Sequence, residues 1–325
     1  IMEMSHRSKV YDAVHQAAIA GVRKLMGVPE DYEILFMQGG ASQQFALIPQ
    51  NLRGAGQSAD YVNTGSWATK AIKEAKVGGG GTNVIWAGKA GKFSMMPSAA
   101  DLKGTPGAAY LHICSNETIE GVRFVEWPES DAPLLADMSS EIMSRVIDVS
   151  KFGMIYAGAQ KNLGPSDLAL VVIGKDLIER CPETVAIFSR YKTHAADQSL
   201  YNTPNTWGIY ILKLVTDWLD AQGGIAGIEA LNEAKAKMLY DQIDSSGFCK
   251  PHAQKTWRST MNVTWRLPSE ELEETFVKEA KKAGMDGLKG HRSVGGIRAS
   301  IYNACPDVAV KTLVDFMKEF EKKNG

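Results

Sequence analysis

A single lysine, Lys161, stands among small residues between two apolar runs, within residues 154–165. An aldehyde cofactor such as pyridoxal phosphate needs an amine that can be desolvated and held still. Gly158, Ala159 and Gly164 flank the lysine and leave room for such a cofactor to approach the backbone. Because most lysines are solvated surface groups, Lys161 alone is weak evidence for covalent catalysis.

An acidic residue, Asp137, ends the strand-like apolar run that precedes this stretch, at residues 133–137. Open α/β sheets bind their ligands at the carboxyl ends of parallel strands. A carboxylate at that edge can pair with a protonated pyridine nitrogen and so keep the ring an electron sink. Lys161 and Asp137 together therefore predict pyridoxal phosphate chemistry, with the lysine as the reactive amine.

Three further sites follow predicted strands. A glycine turn after residues 33–37 leads into a helix at Ala41 and Ser42, where backbone amides and the helix dipole suit a phosphate. This turn has neither the Walker nor the dinucleotide-binding spacing, and such turns are common. Trp67 and Thr118 also lie just beyond strands. A lone tryptophan is more often core, and a threonine there more often caps a turn.

The order of the elements predicts the fold that must position these residues. Apolar strands alternate with helical patterns, which favours a largely parallel, doubly wound α/β domain. The composition shifts at residues 222–224, and a charged helix, an alternating strand and further helices follow. We therefore expect a large domain at residues 1–222 and a smaller C-terminal α+β domain at residues 223–325.

Composition excludes several classes of protein. The chain has 325 residues, 44% of them hydrophobic and 22% charged, and a formal net charge of -1, which offers no surplus for nucleic acid or anionic membranes. Four separated cysteines form no metal-ligand spacing and indicate reduced thiols, so no metal and a cytoplasmic location are expected. No apolar run approaches the ~20 residues of a membrane span. We expect the natural chain to continue upstream of Ile1, where an organelle-targeting sequence would lie.

Three stretches resemble the phosphoserine aminotransferases, class-V, fold-type I enzymes that use pyridoxal phosphate. They are residues 2–8, 158–162 and 290–303, and the last is the most specific, because it separates this family from other lysine Schiff-base enzymes. The resemblance implies a homodimer that moves an amino group between L-glutamate and 3-phosphohydroxypyruvate in L-serine biosynthesis. The products are O-phospho-L-serine and 2-oxoglutarate.

The resemblance also implies roles for individual cofactor-binding residues. Lys161 would form the Schiff base and shuttle the proton, and Asp137 would hold the pyridinium nitrogen. Thr118 would hydrogen-bond the ring or the phosphate. The ring would stack on Trp67, and the cofactor phosphate would be held by Ala41, Ser42 and Gln160, together with Asn202 and Thr203 reaching across the dimer interface from the neighbouring subunit.

Five cationic residues are implied in substrate binding. Arg298 would clamp the α-carboxylate, since the planar guanidinium matches a carboxylate in two parallel hydrogen bonds. His291 and Arg292 would bind the substrate phosphate, and His6 and Arg7 would reach it from the partner subunit.

Two alternatives remain open at the level of sequence. A fold-type I lyase or desulfurase is disfavoured, because no cysteine stands in a glycine-rich mobile loop and phosphate-directed cations would be unnecessary. An N-terminally truncated, catalytically impaired dimer that still binds the cofactor is the second alternative.

Overall fold

The computed structural model describes residue 1 and residues 3–325, so Met2, which opens one of the three resembling stretches, lies outside the described residues. The helices are α1 (Lys9–Met26), α2 (Gly40–Leu52), α3 (Ser66–Val77), α4 (Lys175–Ile178), α5 (Tyr191–Ala196), α6 (Thr206–Ala221), α7 (Gly224–Ser245), α8 (Glu270–Lys282) and α9 (Asp307–Asn324). The strands are β1 (Tyr32–Gln38), β2 (Ser58–Asn63), β3 (Gly81–Ala87), β4 (Leu111–Cys114), β5 (Asn116–Glu117), β6 (Val122–Arg123), β7 (Leu134–Asp137), β8 (Met154–Gly158), β9 (Leu168–Gly174), β10 (Lys250–Pro251), β11 (Asn262–Arg266) and β12 (Ile297–Ser300). Within the described residues, no helix combines the length and the apolar character needed to cross a membrane.

A seven-stranded sheet in the order β1-β9-β8-β7-β4-β2-β3 forms the centre of the fold. The pairs β2/β3, β2/β4, β4/β7 and β7/β8 are parallel, whereas β9 is antiparallel to both β1 and β8. Strands β8 and β9 are buried along their whole length, as expected for a sheet covered on both faces. The predicted doubly wound, mostly parallel α/β fold is confirmed.

Helices cover both faces of this sheet. On one face, Ala18 and Val22 of α1 pack into a core with Leu212 of α6. On the other, α2 and α3 contribute Ile48 and Ile72 to a second core. Helix α1 begins with a side-chain cap, because the Ser8 side chain accepts a hydrogen bond from the Tyr11 N–H.

The C-terminal part of the chain forms a third core around a small antiparallel sheet, β10-β11-β12. Trp265 of β11 packs there with Phe276 of α8 and Phe320 of α9. Helix α7 takes part in two cores, because Ile228 belongs to the first and Leu239 to the third. The domain boundary at residue 222 therefore stays a prediction.

The strand directions bring the candidate residues to one edge of the sheet. Strands β2, β4, β7 and β8 run parallel, so the segments that follow them emerge on the same side. Asp137 lies in register with Cys114 of β4 and Tyr156 of β8. Because β9 runs the opposite way, its first residue, Leu168, reaches this edge as well.

Candidate active site

A cavity of ≈ 410 Å³ opens at this edge of the sheet. It is lined by Gly39, Gly40, Ala41, Ser42, Trp67, Cys114, Asn116, Thr118, Asp137, Ser139, Ser140, Gln160, Lys161, Ser166 and Asp167. Seven residues predicted to hold a cofactor within one chain thus line a single cavity. No cluster of three or more metal-ligating side chains occurs among the described residues.

Lys161 follows the buried strand β8 and extends its amine into the cavity. The Nζ atom donates a hydrogen bond of 2.6 Å to Thr118 Oγ1 and lies 5.3 Å from the centroid of the Trp67 ring. Burial lowers the pKa of Lys161, although the nearby carboxylate of Asp137 opposes this shift. The neutral, nucleophilic form of the amine is therefore easier to reach than for a lysine in water.

A second buried lysine, Lys235 of α7, differs from Lys161 in the number of hydrogen bonds that its amine donates. Its Nζ donates to the carbonyl oxygens of Ile301, Tyr302 and Cys305, at 3.2, 2.9 and 3.0 Å. All three donor positions of that ammonium are used, which is how a buried lysine is normally satisfied. Lys161 makes one such bond in the described part of the chain, so its amine retains capacity for a ligand.

Asp137, at the end of β7, is held by a local hydrogen-bonded turn. Its Oδ1 accepts bonds from the Ser139 N–H at 2.9 Å and from Ser139 Oγ at 2.5 Å. Ser139 Oγ in turn accepts the Gly158 N–H at 3.0 Å, which ties Asp137 to the strand that leads to Lys161. Burial raises the pKa of Asp137, while the bonds from Ser139 and the charge of Lys161 act against that rise.

The start of α2 is the place where a phosphate is predicted to bind. Gly39 and Gly40 both have positive φ, 78° and 60°, so the chain turns sharply from β1 into the helix. The first-turn amides of Ala41 and Ser42 have no partners within the helix, as at any helix N-terminus. A Cβ at Gly158 would lie 3.4 Å from the Ala41 nitrogen, so the glycine lets β8 approach this helix start closely.

Trp67 occupies the first turn of α3. The side chain is half-buried, and its Nε1 has no hydrogen-bond partner within the residues described. One edge of the cavity is thus an indole ring near the Lys161 amine, which suits the face of a flat heteroaromatic ligand.

Cations gather at the rim of the cavity. Arg298 of β12 donates from Nη1 to the Thr118 carbonyl oxygen at 3.5 Å, and its buried Nε has no partner in the described chain. Partial burial and the charges of Arg298, Arg292 and Lys70 lower the pKa of His291. Arg298, His291 and Arg292 do not line the Lys161 cavity, and Arg292 lines a neighbouring groove beside Glu273.

Four further predicted residues also lie outside the Lys161 cavity of their own chain. His6 and Arg7 belong to the segment before α1, and Asn202 donates from Nδ2 to the Thr203 carbonyl oxygen in the loop before α6. Their proposed roles depend on a second copy of the chain and stay predictions.

The comparisons with known proteins agree with this geometry. Residues 1–313 match the aminotransferase class-V family. The chain is 52% identical over 327 residues to the phosphoserine aminotransferase of Desulfatibacillum aliphaticivorans and 50% identical over 325 residues to that of Bacillus subtilis. It is fully covered in both matches and spans 90% of each relative. The chain belongs to the phosphoserine aminotransferases of class V.

Solved structures of phosphoserine aminotransferases have the same fold. The enzyme of Bacillus circulans subsp. alkalophilus superposes with a TM-score of 0.98 at 49% identity, covering 100% of this chain and 90% of that one. The enzyme of Trichomonas vaginalis, solved with bound pyridoxal phosphate, gives a TM-score of 0.93 at 38% identity, covering 98% and 90%. The fold-type I architecture of this phosphoserine aminotransferase is therefore shown.

Several cavity residues were missed from the sequence. Asn116, Ser139 and Ser140 follow β4 and β7 at the same edge as Asp137, so the rule that identified the aspartate would have identified them. Ser166 and Asp167 precede β9, and nothing in the sequence shows that this strand runs antiparallel.

Proposed function

We propose that this phosphoserine aminotransferase transfers an amino group between L-glutamate and 3-phosphohydroxypyruvate with pyridoxal phosphate, giving O-phospho-L-serine and 2-oxoglutarate in L-serine biosynthesis. One observation carries the proposal. The Lys161 amine and the Asp137 carboxyl share a cavity with the first-turn amides of α2, in a chain about half identical to phosphoserine aminotransferases.

The residues present fit pyridoxal phosphate. When bound, this cofactor supplies an aldehyde that amines attack and a ring that takes up the electron pair from the substrate. The amides of Ala41 and Ser42 would hold the phosphate, together with Gln160. Asp137 would pair with the ring nitrogen, and Trp67 would cover one face of the ring.

Lys161 would carry the chemistry. The lowered pKa of its amine makes the unprotonated form easier to reach, and the Thr118 hydroxyl, 2.6 Å away, would orient it. With the cofactor held in the cavity, Nζ would act as the base that takes up the proton of the substrate α-carbon and gives it back. The Asp137 carboxylate would stabilise a positive charge on the ring nitrogen.

The rim cations would select the substrates. Arg298 can offer two parallel N–H groups to the α-carboxylate, and its unpartnered Nε leaves the guanidinium free to do so. His291 and Arg292 would bind the second anionic group, which is a carboxylate in glutamate and a phosphate in phosphoserine.

A homodimer would complete the site. Helix α6 carries an apolar stripe in which Trp207 is 46% exposed, Leu214 40% and Trp218 37%, at spacings that place them on one helix face. Such a face favours a protein partner. Asn202 and Thr203 immediately precede this helix, so pairing there would carry them toward the neighbour's cavity, where His6 and Arg7 are also proposed to act.

Visible absorption spectroscopy tests the catalytic proposal. Protein loaded with pyridoxal phosphate should absorb in the visible, and L-glutamate or phosphoserine, added separately, should each shift that absorption to the form that carries the amino group. Lys161→Ala should bind the cofactor non-covalently and lose turnover, whereas the exposed Lys73→Ala should behave as the parent protein. Transamination that survives in Lys161→Ala would refute the proposal.

Subunit mixing tests the shared site. Lys161→Ala is inactivated in its own cavity, and an Asn202→Ala, Thr203→Ala double variant would inactivate its neighbour's. Heterodimers then contain one intact cavity, so the mixture should recover about a quarter of the parent activity. No recovery, despite heterodimers in native mass spectrometry, would place these residues in their own subunit's site.

The alternatives receive no support. The comparisons favour transamination over a lyase or desulfurase. Cys114 lines the cavity, but burial raises the pKa of its thiol well above the usual range, which opposes a role as a thiolate nucleophile. The cytoplasmic location stays a prediction.

A further inference from the structure

Two carboxylates, Glu117 and Glu120, are buried against the start of α3. Glu117 Oε2 accepts the Trp67 N–H at 3.0 Å, and its Oε1 accepts the Ala68 N–H at 3.0 Å. Glu120 Oε1 accepts both the N–H and the Oγ–H of Ser66, at 3.0 and 2.7 Å. The first three amides of this helix are therefore bound by side chains of the chain itself and are closed to a ligand, unlike those of α2.

The segment that contains the two glutamates also contains the residue that accepts a hydrogen bond from Lys161. Thr118 lies between the two glutamates, and its hydroxyl accepts the bond from Lys161 Nζ. The two glutamates therefore connect helix α3, which carries the Trp67 indole, to the segment that carries the Thr118 hydroxyl. Gly65 permits this contact, since a Cβ there would lie 2.6 Å from the Glu117 carboxyl carbon.

Ordinary helix capping does not need two buried acids. Helix α8 begins with one exposed cap, in which Ser269 Oγ accepts the Leu272 N–H at 3.3 Å. Burying carboxyl groups is costly unless other contacts compensate. The cost is consistent with a task at the cavity, where Asp137 and Glu117 are acids that raise the pKa of the Lys161 amine.

The two acids act as one unit. Burial, reinforced by the charge of Glu120, raises the pKa of Glu117 to about 8, and burial also raises the pKa of Glu120. Their carboxyl groups accept hydrogen bonds from the adjacent amides of Ser66 and Trp67, and Glu120 Oε2 is buried with no donor partner among the described residues. A proton held between them satisfies that atom and leaves Glu117 as the acceptor for α3.

We propose that Glu117 and Glu120 are positioning residues that together hold the Trp67 indole and the Thr118 hydroxyl in place around the Lys161 amine. Neither glutamate lines the cavity, so each acts through the residue that it orients. The inference rests on the proposed function only in taking Lys161 as the reactive amine.

Glutamine variants separate the two positions. In Glu120→Gln, the amide oxygen can still accept the hydrogen bonds from Ser66, and the amide NH₂ group can donate to Glu117 in place of the shared proton. This variant should therefore resemble the parent protein. In Glu117→Gln, one acceptor oxygen must serve the Trp67 and Ala68 amides, and the NH₂ group opposes one of them. That variant should lose the alignment of the indole.

Three measurements report that loss. The near-ultraviolet circular dichroism assigned to Trp67, obtained by subtracting the Trp67→Phe spectrum, should decrease in cofactor-free Glu117→Gln and persist in Glu120→Gln. The pH midpoint of the visible absorption of the loaded protein should move to lower pH only in Glu117→Gln, because Glu117 is one of the acids that raise the pKa of the Lys161 amine. Its kcat should fall roughly tenfold, with a smaller change in the KM for glutamate.

Two further variants keep the test decisive. Ser269→Ala weakens the cap of α8, a helix that does not line the cavity, and should lower stability without altering the Trp67 spectrum or the pH midpoint. If Glu117→Gln fails to fold, Gly65→Ala displaces the Glu117 carboxyl without removing its charge and should reduce the same spectrum. A Glu117→Gln protein that loses stability as Ser269→Ala does, with both readouts unchanged, would overturn the inference. Failure of the proposed function differs, because the parent protein itself would then show no response to glutamate.

Discussion

The chain contains the same Asp-x-Ser turn twice, once buried and once exposed, and this provides a matched test of the site. In both, the serine Oγ and N–H donate to the aspartate Oδ1: at 2.5 and 2.9 Å for Ser139 on Asp137, and at 2.6 and 3.0 Å for Ser150 on Asp148. Their electrostatics differ. The pKa of exposed Asp148 is lowered by its serine, whereas burial raises that of Asp137.

Ser139→Ala should therefore lower the free energy of unfolding far more than Ser150→Ala does. The first removes a bond to a buried carboxyl group, about 1.5–3 kcal/mol, and leaves the Gly158 N–H buried without its acceptor, about 1–3 kcal/mol. We expect a loss of about 3–5 kcal/mol in the free energy of unfolding. Ser150→Ala removes a solvated contact and should change that free energy by no more than about 0.5 kcal/mol.

The unfolding free energy that is lost in Ser139→Ala should also depend on pH. The folded-state pKa of Asp137 is already raised, so its neutral form is favoured by folding, and the associated stability is lost as pH rises through that pKa. Without Ser139 the pKa rises further. The difference between parent and Ser139→Ala should then be smallest below about pH 4 and grow toward neutrality.

Urea unfolding of both variants between pH 4 and 8 measures these effects, and the pH profile of kcat/KM supplies a second readout. Its acidic limb should move to higher pH in Ser139→Ala, because Asp137 must be ionised to hold the ring nitrogen. Equal losses in the two variants, or a loss in Ser139→Ala that does not vary with pH, would refute the reasoning.

Three further predictions concern single positions. Burial raises the pKa of Glu117 to about 8, so the proton that Glu117 and Glu120 share should stabilise the fold less and less as pH rises from about 4.5 to 8. Calorimetry of Glu117→Gln should therefore show a smaller decline in stability over this range. Gly121→Ala should lower the free energy of unfolding by about 2 kcal/mol or more, because a Cβ there would lie 2.7 Å from the Asn262 carbonyl oxygen. Gly56 has a similar positive φ but stands in open space, so Gly56→Ala should lower the free energy of unfolding by only about 1 kcal/mol in the same denaturation assay. Arg298→Lys should reduce kcat/KM by roughly 100-fold for both glutamate and phosphoserine, because one ammonium group cannot replace two parallel N–H donors. Steady-state kinetics in which kcat/KM falls for only one of the two substrates would argue against a role of Arg298 in binding the α-carboxylate.

Much of the fold could be predicted from the sequence because its signals are local. Apolar runs indicated the buried strands, and helical spacing indicated the helices. One general rule, that parallel strands end at a common edge, was enough to bring Asp137 and Lys161 together. The resemblance of residues 290–303 added the family and the role of Arg298.

Long-range packing decided the rest. The bond between Lys161 and Thr118 joins residues 43 positions apart, and Glu117 caps a helix that begins some fifty positions earlier. No periodicity encodes such a pairing, since it depends on which strands become neighbours. The antiparallel direction of β9, which brings Asp167 to the cavity, is equally invisible in an apolar run. The sequence alone determined which residues could do the chemistry; the tertiary structure decided which atoms hold them, because burial and hydrogen bonding between distant segments set both their positions and their pKa values.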